Sequence, residues 1–164
     1  MESPWVTISE IGEYEEQEVT LRGWMDNKRS SGKIHFLQIR DGTGFIQAVM
    51  VKKEVSQEAF EQAKGLWLQA SLELTGIVRR DDRAPSGYEI TVTGMTVLHN
   101  PQEEYPIGKK EHGIDFLLDH RHLWLRSKRQ QAIMKIREQV IWAVRQYLHN
   151  NGYTLLDSPL LTGS

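Results

Sequence analysis

The sequence predicts a five-stranded β-barrel followed by the start of an α+β domain, and three observations lead to this prediction. Residues 19–98 contain short runs that alternate apolar and polar side chains, as strands do. Residues 101–115 are polar and interrupted by proline. After residue 127 the apolar side chains recur every three or four positions, which is the period of a helix. The expected organisation is therefore a barrel over 1–100, a connector over 101–115 and an incomplete domain over 116–164.

The barrel is justified strand by strand. Strands are expected at residues 19–24, 34–40, 45–51, 68–78 and 88–98. The cluster Asp41-Gly42-Thr43-Gly44 predicts a turn between the second and third strands. A short helix should follow the third strand, because Ser56 is a suitable N-cap and Gly65 a suitable stop.

Five strands with a helix between the third and the fourth have the order of an OB-fold. This small barrel binds oligonucleotides on the face of its second and third strands and through two of its loops. The strand pattern also fits another small barrel or a sandwich, so pattern alone leaves those architectures open.

Composition limits the classes of function. Cysteine is absent, which excludes a disulfide framework and a cysteine-ligated metal centre. No stretch is long and apolar enough for a membrane span and the N-terminus does not resemble a signal peptide, so a cytoplasmic location is expected. The net charge of -2 is uneven, because the first 18 residues hold six Glu whereas Lys28, Arg29 and Lys33 cluster. Charge therefore permits an RNA partner without requiring one.

Alternation along the second and third strands predicts which side chains face outward. His35, Leu37 and Ile39 share one side, the expected core side, which leaves Phe36 and Gln38 on the open face.

If residues 41–44 form the turn, Gln38 lies opposite Gln47, so a ring for stacking and amides for hydrogen bonds become neighbours. Arg29 is expected in a basic loop at the rim, and Glu89 on the polar side of the fifth strand. Each of these residues alone is more typical of an ordinary solvent-exposed surface than of a nucleic-acid site.

The second domain should begin with a long helix. Ser127 and Gln130 have the spacing of a capping box, and Gly152 should end the helix. One apolar stripe runs along it, formed by Ile133, Ile136, Val140, Val144 and Leu148. No later segment is available to cover this stripe, so the domain is expected to be incomplete.

The sequence resembles a known family in two places. The first match resembles the anticodon-binding domain of the class IIb aminoacyl-tRNA synthetases, and it comprises Arg22-Gly23-Trp24, Arg29, Gly32, Phe36, Arg40-Asp41-Gly42 and Gln47. The second, residues 116–127, resembles the opening of the catalytic domain in the asparaginyl branch, where the aspartyl and lysyl branches typically have Asp in place of Trp124. The helix after Ser127 and the stretch from Gly152 to Pro159 are similar to motif 1 of class II synthetases.

The resemblance implies roles for particular residues. Phe36 would stack on the central anticodon base of tRNA(Asn), and Arg29 and Gln47 would supply hydrogen bonds that select uracil. Glu89 would lie near the first anticodon base. Motif 1, with Gly152 at the start of its strand and Pro159 as its signature proline, would form a homodimer.

The resemblance also implies an enzyme that attaches asparagine to tRNA(Asn) with ATP and Mg²⁺. Family catalysis depends on motifs 2 and 3, neither of which is found in these residues. We therefore expect this chain to contain no catalytic residue, to bind no cofactor by itself and to be inactive alone. A stand-alone, non-catalytic tRNA-binding module and an aspartyl-type relative are the alternatives, and Trp124 disfavours the second.

A metal site is not expected. His120 and His122 have the spacing of two residues on one strand face and could share a metal ion, but no third ligand lies near them in the sequence. Structural hydrogen bonds are the expected role of both side chains.

Overall fold

Residues 3–84, 86–108 and 110–158 are described by the computed structural model. The chain forms two compact units, Met1–Pro106 and Ile107–Ser164. None of the described helices is long and apolar enough to cross a membrane.

Five strands of the first unit close into a barrel in the order β1-β2-β3-β5-β4. They are β1 (Glu18–Ser31), β2 (Ile34–Arg40), β3 (Phe45–Val51), β4 (Ser71–Arg80) and β5 (Tyr88–His99). β3 and β5 pair in parallel, and the other neighbours are antiparallel. With α1 (Gln57–Gly65) between β3 and β4, the architecture is the predicted OB-fold.

The predicted core sides of β2 and β3 are confirmed. His35, Leu37 and Ile39 are buried in β2, and so are their neighbours Ile46, Ala48 and Met50 in β3. The predicted register is also confirmed, because Gln38 pairs with Gln47 and Phe36 with Val49. Inward apolar and outward polar side chains alternate because each strand has one face in the core.

β1 is longer than predicted, and this corrects the position of Arg29. The first part of β1 pairs with β4 and the last part with β2, with a bulge between Met25 and Asn27. Arg29 lies in this second part, directly opposite Phe36, so the expectation of a loop was wrong. Since the bulge adds one residue, the outward positions change from even numbers at Trp24 to odd numbers at Asn27 and Arg29.

Gly23 lies at a close approach between strands. A Cβ at this position would lie 2.6 Å from both the carbonyl oxygen of Arg40 and Cγ2 of Ile39. The neighbouring strand therefore requires glycine between Arg22 and Trp24.

The turn after β2 holds the N-terminal segment, which forms a 3-10 helix over Ile8–Tyr14 that was not predicted. The Asp41 carboxylate accepts hydrogen bonds from the backbone amides of Ile8 (2.7 Å), Thr43 (2.8 Å) and Gly44 (3.2 Å). Ile8 and Ile11 are buried in the barrel core. One carboxylate therefore fixes the turn and fastens the short helix to it.

The predicted N-cap of α1 is confirmed, since the Ser56 hydroxyl accepts a hydrogen bond from the amide of Ala59 at 3.1 Å. Phe60 of α1 is buried, and its ring stacks on His35 with 4.0 Å between centroids. At the other end of the helix, Lys28 Nζ donates to the carbonyl oxygens of Lys64 and Leu66. A cation is favourable there because free carbonyl groups accumulate at a helix C-terminus.

The second unit begins with α2 (Ile114–Asp119), α3 (Arg121–Trp124) and α4 (Lys128–Asn150). The Ser127 hydroxyl accepts from the amide of Gln130 at 3.4 Å, as the cap prediction required. Gly152, with φ of +85°, follows the end of α4. The apolar stripe on α4 is exposed, as Ile136 (65%) and Val140 (57%) show.

Two expectations for the second unit were wrong. His120 and His122 do not share a strand face, because α2 and α3 occupy this segment. Residues 153–158 are described and form no strand, since no neighbouring strand pairs with them and an unpaired strand leaves its backbone groups unsatisfied. Pro159, the proposed motif 1 proline, lies outside the described residues.

Candidate nucleic-acid interface

The outer face of the barrel carries three rows of side chains, which run across neighbouring strands among β1, β2, β3 and β5. The stacking row consists of Arg29, Phe36, Val49 and Thr91, and the amide row consists of Asn27, Gln38, Gln47 and Glu89. The tryptophan row consists of Trp24, Arg40 and Phe45. Directly paired residues point to the same face of a sheet, so strand register alone aligns each row.

Arg29 and Phe36 form the first contact of the site. The guanidinium carbon of Arg29 lies 4.3 Å from the centre of the Phe36 ring. A cation above a ring is attracted by the negative π face. The pair therefore offers an aromatic surface and a positive charge at one point, the combination that binds a base together with its phosphate.

Gln47 joins the stacking row to the amide row. Its Oε1 accepts a hydrogen bond of 3.4 Å from Nη2 of Arg29, and its Nε2 donates one of 3.2 Å to Oε2 of Glu89. Arginine can only donate and an ionised carboxylate can only accept, so the two neighbours define the orientation of the amide. The four residues proposed from the sequence, Arg29, Phe36, Gln47 and Glu89, thus lie in one connected cluster.

The loop between β4 and β5 adds two residues that sequence reasoning missed. Asp81 and Arg83 line the same concavity of about 470 Å³ as the four proposed residues. The Asp81 carboxylate accepts from Nε of Arg83 at 3.0 Å and from Nη2 at 3.2 Å. These hydrogen bonds hold the pKa of Asp81 below its usual range. A polar loop gives no sign in sequence of which of its arginines faces a sheet, so register and fold were needed to find them.

The cluster of Arg29, Phe36, Gln47 and Glu89 combines an aromatic ring with hydrogen-bonding and charged groups. Among residues 3–84, 86–108 and 110–158, no group of three His, Asp or Glu side chains could hold a metal ion. His120 has a structural contact: its Nδ1 donates to the carbonyl oxygen of Phe116 at 2.9 Å, and the two rings stack at 4.3 Å. The chemistry of the described surface is therefore stacking, hydrogen bonding and positive charge.

Comparisons with known proteins agree with this geometry. Residues 19–98 match the family model described as "OB-fold nucleic acid binding domain", and residues 113–164 match that of "tRNA synthetases class II (D, K and N)". The chain is 52% identical over 160 residues to an asparagine–tRNA ligase of Symbiobacterium thermophilum. That match covers 98% of this chain and 36% of the relative.

Solved structures give the same result. Asparaginyl-tRNA synthetase from Pyrococcus horikoshii, complexed with asparaginyl-adenylate, is 38% identical with a TM-score of 0.86, covering 94% of this chain and 36% of that one. The asparaginyl-tRNA synthetase of Entamoeba histolytica is 25% identical with a TM-score of 0.78, covering 99% and 39%. The chain thus spans little more than a third of the length of these relatives. The chain is a homologue of asparagine–tRNA ligase along nearly its whole length, and its residues 113–164 match the class II tRNA synthetases of the D, K and N group.

Proposed function

We propose that this chain supplies anticodon recognition in the ATP-dependent attachment of asparagine to tRNA(Asn). The observation that carries the proposal is the connected cluster of Arg29, Phe36, Gln47 and Glu89 on the outer face of the barrel. The match of residues 113–164 to the synthetase family favours a ligase over a stand-alone binding module. The cytoplasm is the proposed location.

Phe36 is the stacking residue in this proposal. Its ring is half-buried among the side chains of neighbouring strands, so it is held in place before RNA arrives. Stacking on an aromatic ring contributes about 1–3 kcal/mol per base and does not distinguish bases strongly. Base choice must therefore come from the polar groups beside the ring.

Arg29 and Gln47 supply that choice. Uracil offers carbonyl oxygens and one N–H, which complement the donors of Arg29 and the mixed donor and acceptor of the Gln47 amide. Cytosine replaces one of those oxygens with an amino group, which would face a guanidinium that cannot accept a hydrogen bond. The pair thus favours uracil at the central anticodon position, and Glu89 is placed for contacts to the first anticodon base.

The second unit is proposed to form a homodimer through motif 1. The exposed stripe on α4 includes Ile136, Val140 and Val144. Single exposed apolar residues are ordinary, but a contiguous exposed apolar strip is typical of a protein–protein interface. A second copy of the chain would cover this stripe. In the proposed motif 1, Gly152 ends the helix and Pro159 follows it in the sequence. Sedimentation analysis tests this: Val140→Glu should convert a dimer to a monomer, whereas the outward polar change Glu138→Gln should not.

ATP and Mg²⁺ serve the charging reaction, and we assign no residue of this chain to either. The proposal therefore predicts no ATP–pyrophosphate exchange by the 164-residue chain alone. Detectable ATP–pyrophosphate exchange by the purified chain would contradict the proposal that none of its residues serves the reaction with ATP.

Anticodon choice tests the proposal as a whole. Gel-shift titrations at one fixed salt concentration should show tighter binding of a stem-loop with the GUU anticodon than of one with GCU, which differs only at the central base. Equal affinities for the two stem-loops would contradict recognition of tRNA(Asn) by these residues.

A further inference from the structure

The tryptophan row provides a second aromatic position on the face that carries Phe36. Trp24 pairs directly with Arg40 of β2, and Arg40 pairs with Phe45 of β3. Phe36 and Arg40 lie on the same side of β2, four residues apart. At about 3.3 Å per residue, the two rows are separated by about 13 Å along the strand.

Trp24 is accessible and rigidly supported. It is 43% exposed, although both of its neighbours in β1, Gly23 and Met25, are buried. The guanidinium carbon of Arg40 lies 5.4 Å from the Trp24 ring centre. Arg40 is in turn held by Asp26, with 3.7 Å between Nε and Oδ1, and by a hydrogen bond to the side chain of Gln69. One side of the indole is therefore packed on a fixed cation while much of the ring faces solvent.

The backbone beside this row is also held in an unusual conformation. Gln69 has φ of +70°, a region that non-glycine residues seldom adopt. Its amide donates to the carbonyl oxygen of Met25 at 2.7 Å, and its side chain meets Arg40. The strained residue thus fixes both the strand that carries Trp24 and the cation beneath it.

The amide row between the two aromatic positions suits a continuous strand of RNA. Asn27, Gln38 and Gln47 of the amide row lie between Phe36 and Trp24 and offer donors and acceptors for base edges. Stacked neighbours in a nucleic-acid strand are about 3.4 Å apart, so bases on rings about 13 Å apart are not adjacent nucleotides. At least one nucleotide would lie above the amide row.

We infer that Trp24 is a second base-stacking position, for an unpaired nucleotide two places away from the base that stacks on Phe36. This inference rests on the proposed anticodon function and extends its footprint across the sheet. The ligand is single-stranded RNA in one continuous path from Arg29 and Phe36, over the amide row, to Trp24.

Affinity of the 164-residue chain for the GUU stem-loop tests the inference. Trp24→Leu should weaken binding about 5- to 100-fold, as expected for loss of one stacked base, whereas Trp24→Phe should retain most of it. Trp67→Leu is the matched control, because Trp67 is also 43% exposed but lies after α1, where its amide bonds to Asn100. Thermal unfolding of each variant shows whether the fold is intact.

An abasic nucleotide provides the second measurement. Removing the base two positions from the central anticodon base, on one side or the other, should weaken binding to the unaltered protein. The same removal should cost little further affinity in Trp24→Leu, because the two changes delete one shared contact. This cycle remains informative if Trp24→Leu is less stable, since the unaltered protein alone must respond to one of the abasic stem-loops.

The outcomes separate the inference from the proposed function. If Phe36→Ala weakens binding but Trp24→Leu behaves like Trp67→Leu, the second stacking position is wrong and the anticodon proposal stands. If neither abasic stem-loop binds more weakly to the unaltered protein, the inference is also wrong. If Phe36→Ala has no effect, the anticodon proposal fails, and the path built on it fails too.

Discussion

Gln47 and Glu89 lie side by side on the parallel strands β3 and β5, with 3.2 Å between Nε2 of the amide and Oε2 of the carboxylate. On the other side of the amide, Arg29 donates to Oε1. The amide is thus fixed from both sides without RNA. Preorganised polar groups favour selective binding because little ordering cost remains at the moment of contact.

Loss of this amide should lower selectivity for uracil. Gln47→Ala is expected to reduce the preference for a GUU over a GCU stem-loop by about tenfold, since net hydrogen bonds contribute about 0.5–1.5 kcal/mol each. Fluorescence anisotropy with both RNAs measures the ratio. Gln62→Ala, on the exposed side of α1, serves as the control. An unchanged ratio in Gln47→Ala would remove this residue from base selection.

Arg83 should make a phosphate contact. Held by Asp81 at the edge of the concavity, its charge faces the surface on which RNA would lie. Arg83→Gln should reduce the slope of log affinity against log salt concentration by about one, as expected when one phosphate contact is lost. Arg80, the last residue of β4, pairs with Asp82 of the same loop at 3.2 Å and provides the matched variant Arg80→Gln. Indistinguishable slopes for the two variants would rule out the contact.

His35 should make stability depend on pH. Burial lowers the pKa of His35 below its ordinary value of about 6.5. Folding therefore favours the neutral form of the ring. The stability that His35 contributes is complete above about pH 6.5 and is lost as pH falls through the lowered pKa. The unfolding temperature of the chain should fall more steeply from about pH 7 to about pH 5 than that of His35→Gln. His99→Gln, at an exposed position, should retain the steep dependence; parallel curves for the chain and His35→Gln would contradict this assignment.

Asp41 should stabilise the barrel through the N-terminal segment. Asp41→Ala removes the acceptor for the amides of Ile8, Thr43 and Gly44, and hydrogen bonds to charged groups contribute about 1.5–3 kcal/mol. Urea unfolding should show a loss of about 2–4 kcal/mol, because some of these amides regain water as partners. Asp82→Ala, in an exposed loop, should change the unfolding free energy little. A loss no larger than that of the control would mean that the Asp41 carboxylate does not hold the segment.

Much of the barrel could be predicted because the alternation of apolar and polar side chains along its strands matches the burial of those side chains in the fold. β2 and β3 each have one buried face, so alternation specified both their ends and their register, and Gln38 faced Gln47 as expected. β1 was underestimated because its second part, with Lys28 and Arg29, has polar residues on both sides. No apolar alternation marks that part; its strand structure comes from pairing with β2.

The second unit was harder to predict because residue spacing alone does not distinguish a short strand from a short helix. His120 and His122 have the spacing of two residues on one strand face, yet they lie in a segment that forms the short helices α2 and α3. In the candidate site, the positions of Phe36 and Gln47 could be predicted from strand register. The position of Arg83 could not, because it depends on the conformation of a loop that has no periodic sequence pattern.

The most direct test of the account is the affinity of Phe36→Ala for a stem-loop with the GUU anticodon, measured by gel shift at one fixed salt concentration. Phe36→Tyr, which keeps the ring, is the matched control. The account predicts that Phe36→Ala loses about 1–3 kcal/mol of binding free energy while Phe36→Tyr loses little. Unchanged affinity in a folded Phe36→Ala protein would contradict an anticodon site on this face of the barrel.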